Sequence, residues 1–354
     1  MILNGFDTDG HHISGMPDWL RMVAAARAAG ADVWTERDVT VRHVTGGANN
    51  ALYRIETDGR YFACKLCVAD ERRRTAREYG ALRLLQAAGL DVAPRPLWLD
   101  ESRTIVPFPA VVYRWLIGEH LSPSPAAQQL AALLESYHRI HTLRQCDHDS
   151  FGLPDAWFHW FDFAPYLVEL DSFLAEYGAW LATTEPDGQY LRDRLAQLVD
   201  GCAQALTTAS VDPGRECVPL CLCRVDPNLA NGVWGQDSRL RWVDWEYSGW
   251  GDPALDLAEL RWHAALAELS APQQAWLREN YRRPAGDPGF GERLVVWDRL
   301  LATRWPFLIL RWLWSEHHGS DRVRLTHPTY DKVEMRARLV RFIKRAEDFA
   351  ASRE

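Results

Sequence analysis

Val225-Asp226-Pro227-Asn228-Leu229-Ala230-Asn231, followed after a Gly-containing turn by Val243-Asp244-Trp245-Glu246, is the stretch on which the reading of this chain turns. Asp226 and Asn231 form a loop of the pattern Asp-x4-Asn. Asp244 follows a short hydrophobic run, where a strand would deliver a carboxylate to a metal. Asp-Pro-Asn alone is a common turn. With a lysine and a glutamate upstream, the same residues form the set that phosphoryl transfer from a nucleoside triphosphate requires. That set comprises a backbone cradle, a fixed cation, metal ligands and a carboxylate near the acceptor hydroxyl. Asp226 is then the candidate base, and Asn231 and Asp244 the candidate magnesium ligands, since oxygen donors suit that hard cation.

Upstream, the pattern from Thr40 is one of short β-rich runs. Val41 to Val44, Ala51 to Glu56 and Tyr61 to Cys67 read as strands, with Asp58-Gly59 as a hairpin turn. Gly46 and Gly47, with Asn50 close behind, lie between the first two strands and let backbone N–H groups approach a phosphate. Lys65 sits on the third strand. Ala63 shares its face because strand side chains alternate, and its small size leaves room for an adenine ring. Glu78 lies on the helix expected from about Asp70 to Ala88, ended by Gly89, where it can pair with Lys65. Arg72, Arg73 and Arg74 on that helix read as a solvated face.

A short helix opened by Pro17-Asp18 precedes these strands, and an irregular strand from Val106 to Tyr113 follows them. After Gly118, Ser124-Pro125 reads as an N-cap and first helical residue. Leu130, Leu133, Leu134, Tyr137 and His141 follow at helical spacing. The expected fold is α+β and two-lobed, of the protein-kinase-like kind. Residues 1–117 form a nucleotide-binding lobe with an N-terminal helical extension over 1–39. Residues 118–354 form a mainly helical lobe with the catalytic loop and the substrate site.

The chain of 354 residues is long enough for two cores, and 47% hydrophobic with 25% charged residues is ordinary for a globular protein. A net charge of -8 argues against nucleic acid as a partner, because phosphate backbones are held by clustered Lys and Arg. The 7 cysteines are odd in number and scattered, which fits free thiols in a reducing compartment. Cys64 and Cys67 have CxxC spacing, but on a strand they point to opposite faces, so no redox pair is expected. Asp7, Asp9 and Asp18 leave no signal-peptide core, and Arg311 breaks the longest apolar stretch, around Trp305 to Trp314. The expectation is a cytoplasmic protein without a membrane span, its oligomeric state left open. Trp157, Trp160, Phe161, Asp162 and Phe163, and later Trp305, Phe307, Trp312 and Trp314, form aromatic clusters. They read either as core or as a recognition surface for an ammonium group.

Three motifs together resemble the aminoglycoside phosphotransferase and choline kinase family. They are Gly46 to Ile55, Tyr137-His138-Arg139-Ile140-His141, and the run from Val243 to Ala258 containing Asp244-Trp245-Glu246, Gly251-Asp252-Pro253 and Asp256-Leu257-Ala258. The resemblance spans about Thr40 to Leu260. It implies ATP (sometimes GTP), magnesium and a small-molecule hydroxyl acceptor that is aminoglycoside-like, choline-like or another metabolite alcohol. It also implies structural roles for His138, His141 and Asp256. The chain departs from the family at Arg224, usually His, and at Asn228, often His or Lys. A neutral Asn228 supplies less positive charge near a transferring phosphate. These two departures favour an alternative, a nucleotide-binding pseudokinase or regulatory protein. A protein kinase is disfavoured, since neither Asp-Phe-Gly nor Ala-Pro-Glu occurs near Asp244.

Overall fold

The computed structural model describes residues 16–45, 50–158, 161–208, 218–319 and 331–352. In chain order the first elements are α1 (Met16–Ala28), β1 (Val33–Glu36), β2 (Val39–Val44), β3 (Ala51–Thr57) and β4 (Arg60–Leu66). Then come α2 (Arg74–Ala87), β5 (Pro96–Asp100), β6 (Ala110–Arg114), β7 (Glu119–His120), α3 (Ala127–Ile140) and α4 (Gln145–His148). Next are α5 (Ala164–Phe173), a π-helical turn Leu174–Gly178, α6 (Ala179–Thr184) and α7 (Gly188–Thr208). The chain continues through β8 (Cys221–Cys223), β9 (Gly232–Trp234), β10 (Leu240–Trp242), α8 (Pro253–Trp262) and α9 (Ala271–Asn280). The helices α10 (Phe290–His318) and α11 (Lys332–Ala351) complete it. The described residues fall into two compact units. The first lies within Met1–Trp157 and Leu229–Trp250, the second within Phe158–Asn228, Gly251–Asp321 and Thr329–Glu354.

The first unit is built on a six-stranded antiparallel sheet of order β1-β2-β3-β4-β6-β5. Asp58 (φ 49°) and Gly59 (φ 67°) make the two-residue turn between β3 and β4. Two positive φ values give the turn the twist of its flanking strands. Along β3, burial alternates, with Ala51, Tyr53 and Ile55 inward. Phe62, Cys64 and Leu66 of β4 join them, and Trp19, Leu20 and Val23 of α1 cover this face. Lys65 and Ala63 therefore lie on the opposite face, paired by register with Leu52 and Arg54 on one side and Val111 and Tyr113 on the other.

A second, three-stranded sheet of order β10-β9-β7 belongs to the same unit. The Val243 N–H donates to the Asn231 carbonyl (2.9 Å), closing the open end of the β9–β10 hairpin. Asn231 and Asp244 thus emerge from neighbouring backbone positions.

Four local expectations change. β1 and β5 stand outside the expected strands: β1 is short and mostly exposed, so it shows no inward-outward alternation. The expected strand from Val106 forms only at Ala110, beyond Pro107 and Pro109, which lack the N–H a ladder needs. Helix α2 starts at Arg74 rather than near Asp70, because the Asp70 carboxylate accepts the Arg72 N–H (3.1 Å) in a turn. Helix α3 starts after Ala126, whose N–H is taken by the Gln129 side chain (2.9 Å), so Ser124 does not cap it.

The second unit is helical. Helix α10 packs on both α8 and α11. Trp262, Trp297, Phe307 and Phe342 are fully buried there, so much of the tryptophan content is core. Trp305 and Phe307 of the late aromatic cluster are buried, and Trp160 of the earlier one lies outside the described residues. Among the described residues, no helix is long and apolar enough to cross a membrane.

Candidate active site

In the first unit, the Lys65 ammonium gathers three carboxylates. It lies 2.8 Å from Glu78 Oε2, 2.5 Å from Asp244 Oδ1 and 3.2 Å from Glu246 Oε2. The Lys65 side chain is 6% exposed and that of Glu78 0%. Burial works to lower the Lys65 pKa, but Asp244, Glu78 and Glu246 outweigh it and hold the ammonium well above its ordinary range. Lys65 therefore stays charged.

Glu246 draws in two further side chains. It accepts from Asn50 Nδ2 (2.5 Å) just ahead of β3, and from Arg74 Nη1 (2.9 Å) on α2, besides its contact with Lys65. Arg74 also reaches Asp70 (3.2 Å), and Arg77 donates to the Asp155 and Ser248 carbonyls (2.6 and 2.8 Å). The expected solvated face of α2 is thus overturned for Arg74, which is buried by this ion pair. Arg73 alone of the three is exposed.

Asp244 stands at φ 64° between the buried Trp242 and Trp245, and its own side chain is 30% exposed. The Trp245 Nε1 donates to the Trp242 carbonyl (2.7 Å) and the Ser248 Oγ to the Trp245 carbonyl (2.6 Å), so the turn carrying Asp244 is fixed. The donors suit a hard divalent cation. Asp244 and Asn231 offer a carboxylate and an amide oxygen from adjacent backbone positions. Glu78, Asp244 and Glu246 crowd around Lys65, and burial pushes the Glu78 carboxyl up to about 7 with Lys65 opposing.

In the second unit, β8 leads into Arg224, Val225 and Asp226. The buried Asp256, in the first turn of α8, accepts the Arg224 and Val225 N–H groups (2.9 and 2.7 Å). These bonds hold Val225 at φ 72°, a conformation costly for a β-branched residue. Asp256 thus has the supporting position that the motif implied. Asp226 Oδ1 accepts the Asn228 N–H (3.0 Å) and lies 3.4 Å from His263 Nε2.

Helix α8 is itself anchored. Asp252 caps it by accepting the Ala254 N–H (2.9 Å), and the Trp297 Nε1 donates to Asp252 (2.7 Å). Arg293 bridges Asp252 and Asp287 with both ends of its guanidinium.

Of the sequence-derived candidates, Asn50, Lys65, Glu78 and Asp244 come together with Glu246 in one network. Ala63 is buried one residue pair away on the same strand face. Asn231 lies beside Asp244 through the backbone, and Asp226 stands on its own supported loop. Gly46 and Gly47 lie outside the described residues. The sequence pattern assigned no role to Glu246, Arg74 or His263. Cys64 is a core residue whose thiol burial pushes up to about 12, with Asp100 adding to the effect, so it offers no thiolate.

Residues 40–287 match the family model described as "Phosphotransferase enzyme family". Protein LicA of Haemophilus influenzae is 34% identical over 89 residues, which are 24% of this chain. The match spans only 32% of the length of that curated relative. A choline/ethanolamine kinase family protein from Mesorhizobium loti superposes with a TM-score of 0.55 at 22% identity, over 96% of each chain. Spectinomycin phosphotransferase, in complex with ADP and spectinomycin, superposes with a TM-score of 0.60 at 12% identity, over 92% of this chain and 98% of its own. These superpositions show a kinase-like fold, with a sheet-bearing N-terminal region and a helical C-terminal region.

Proposed function

The chain belongs to the phosphotransferase enzyme family, and we propose that it moves the γ-phosphate of ATP, with magnesium, to a hydroxyl group of a small molecule. The observation that carries this is the buried Lys65 ammonium held by Glu78 and Asp244. A lysine kept charged and aimed by a buried glutamate is what a triphosphate needs for orientation. In the reaction, the acceptor oxygen forms its bond to Pγ as the Pγ–O bond to ADP breaks, and the hydroxyl proton passes to a carboxylate. Asp226 is assigned that proton. Lys65, aimed by Glu78, holds the phosphates, with Gly46, Gly47 and Asn50 completing the cradle and Ala63 leaving room for the base. Bound magnesium, held by Asn231 and Asp244, would neutralise charge on the phosphate oxygens.

Nucleotide use is supported by the ADP in the spectinomycin phosphotransferase structure. GTP is the alternative donor. The acceptor is assigned by class only: aminoglycoside-like, choline-like or another metabolite alcohol. The division at residues 117 and 118 into a nucleotide-binding and a catalytic lobe, and the placement in the cytoplasm, belong to the same proposal.

The test is a panel of aminoglycosides, choline and other alcohols incubated with ATP and magnesium, read by mass spectrometry for a phosphate gain. Turnover that disappears in Asp226→Asn supports the proposal. Nucleotide binding without turnover of any acceptor would favour the regulatory alternative.

A further inference from the structure

We infer that His263 is a positioning residue for Asp226, its Nε2–H held on the Asp226 carboxylate because its other ring nitrogen is committed to the backbone. This rests on the assignment of Asp226 as the proton acceptor.

His263 ends α8, its own N–H donating to the Glu259 carbonyl (2.9 Å). Its Nδ1 accepts the Ala265 N–H at 3.2 Å, capping the turn Ala264–Leu266. A ring nitrogen that accepts cannot carry the proton, so the neutral imidazole must be protonated at Nε2. That nitrogen lies 3.4 Å from Asp226 Oδ1. The backbone therefore selects the tautomer that presents an N–H to Asp226. Contacts of this length in an unliganded site commonly tighten when reactants bind.

The ring cannot easily turn away. Trp305 meets it edge-on, with ring centroids 4.6 Å apart. The Trp305 indole is fixed in turn by donating to Glu259 Oε2 (3.1 Å). Burial, with the Arg224 guanidinium nearby, holds the imidazole below its ordinary pKa and keeps it neutral. A neutral N–H orients the carboxylate without neutralising it. The Asn228 N–H already bonds the same oxygen, and a His263 Nε2–H closing the 3.4 Å gap would hold Asp226 Oδ1 from a second direction. This contact comes from the end of α8, whereas the family's usual histidine would stand at the position of Arg224.

Two near-isosteric variants separate positioning from capping. Asn places an oxygen near Nδ1 and lacks an Nε2, so His263→Asn keeps the cap and loses the contact to Asp226. Gln places an amide N–H near Nε2, so His263→Gln keeps the contact and loses the cap. On an acceptor that the parent turns over, His263→Asn is expected to lower kcat roughly 10–100-fold, the range for a displaced catalytic group. Its KM for ATP and its melting temperature stay unchanged. His263→Gln retains most of kcat but melts earlier. In Asp226→Asn, adding His263→Asn costs no further rate. Near-parent kcat in His263→Asn beside a dead Asp226→Asn overturns the inference and leaves the assigned function standing. A near-parent rate in Asp226→Asn removes both.

Discussion

Arg293→Met removes the cation from a buried triad and leaves most of the side-chain volume in place. In the parent, Arg293 is within 2.9 and 3.2 Å of the two Asp252 oxygens and 2.9 and 2.6 Å of those of Asp287. Both carboxylates are 1% exposed. Taking one partner from a buried ion pair costs about 3–5 kcal/mol, because the remaining charge stays desolvated. Here two carboxylates share the lost partner. Asp252 keeps the Ala254 N–H and the Trp297 Nε1, which softens its share, so about 3–5 kcal/mol is expected for the whole substitution. Urea unfolding at a slope of about 3 kcal/mol per molar would show the midpoint fall by roughly 1–1.7 M. Combining Arg293→Met with Asp252→Asn and Asp287→Asn should recover most of the loss, since no unpaired charge remains. A loss below about 1 kcal/mol in the single variant, or no recovery in the triple, would refute the reasoning that charge desolvation dominates.

Burial pushes the Glu259 carboxyl from 4.5 up to about 7, with Arg304 and Trp305 opposing. The folded chain then keeps a proton that the unfolded chain releases, so stability falls as pH rises between about 4.5 and 7. At about 1.4 kcal/mol per pH unit the fall amounts to roughly 3–4 kcal/mol. Glu259→Gln should flatten it, as denaturant titrations at several pH values would show, and an unchanged slope would refute the assignment. Lys65→Met should abolish the stabilisation that ATP with magnesium gives the parent, about 2.7 kcal/mol at a hundredfold excess over Kd. Thermal-shift titration checks this, and equal shifts in both proteins would contradict the phosphate role. Asp256→Asn offers one acceptor oxygen where two backbone N–H groups now bond. It should lower kcat at least tenfold while the nucleotide thermal shift persists, because Lys65 and its partners belong to the other compact unit. A parent-like kcat would show that Asp256 does not hold the loop.

Features with short-range causes were legible in the sequence. Asp58-Gly59 marked the β3–β4 turn, and Gly89, at φ 67°, marked the end of α2. The Lys65–Glu78 pair was legible because strand alternation and a following helix constrain both residues. What the sequence hid were partners far apart along the chain. Glu246 lies 196 residues from Asn50 and 172 from Arg74. No periodicity encodes such a separation, so Arg74 resembled any surface arginine beside Arg72 and Arg73. His263 was hidden for the same reason, since its meaning depends on which ring nitrogen the Ala265 N–H occupies. The first strand was missed because an exposed edge needs no apolar alternation.

The backbone at Asp244 bears on how an inactive version of this protein should be made. Its φ of 64° lies where Asp and Asn are tolerated and most other residues are not. Alanine there would add a conformational penalty of roughly 1–2 kcal/mol to the loss of the carboxylate. A silent Asp244→Ala protein would confound a damaged turn with a missing carboxylate, and crystals or binding assays built on it would inherit the ambiguity. Asp244→Asn keeps the local geometry and subtracts only the charge, which makes it the inert template on which to trap nucleotide and acceptor together.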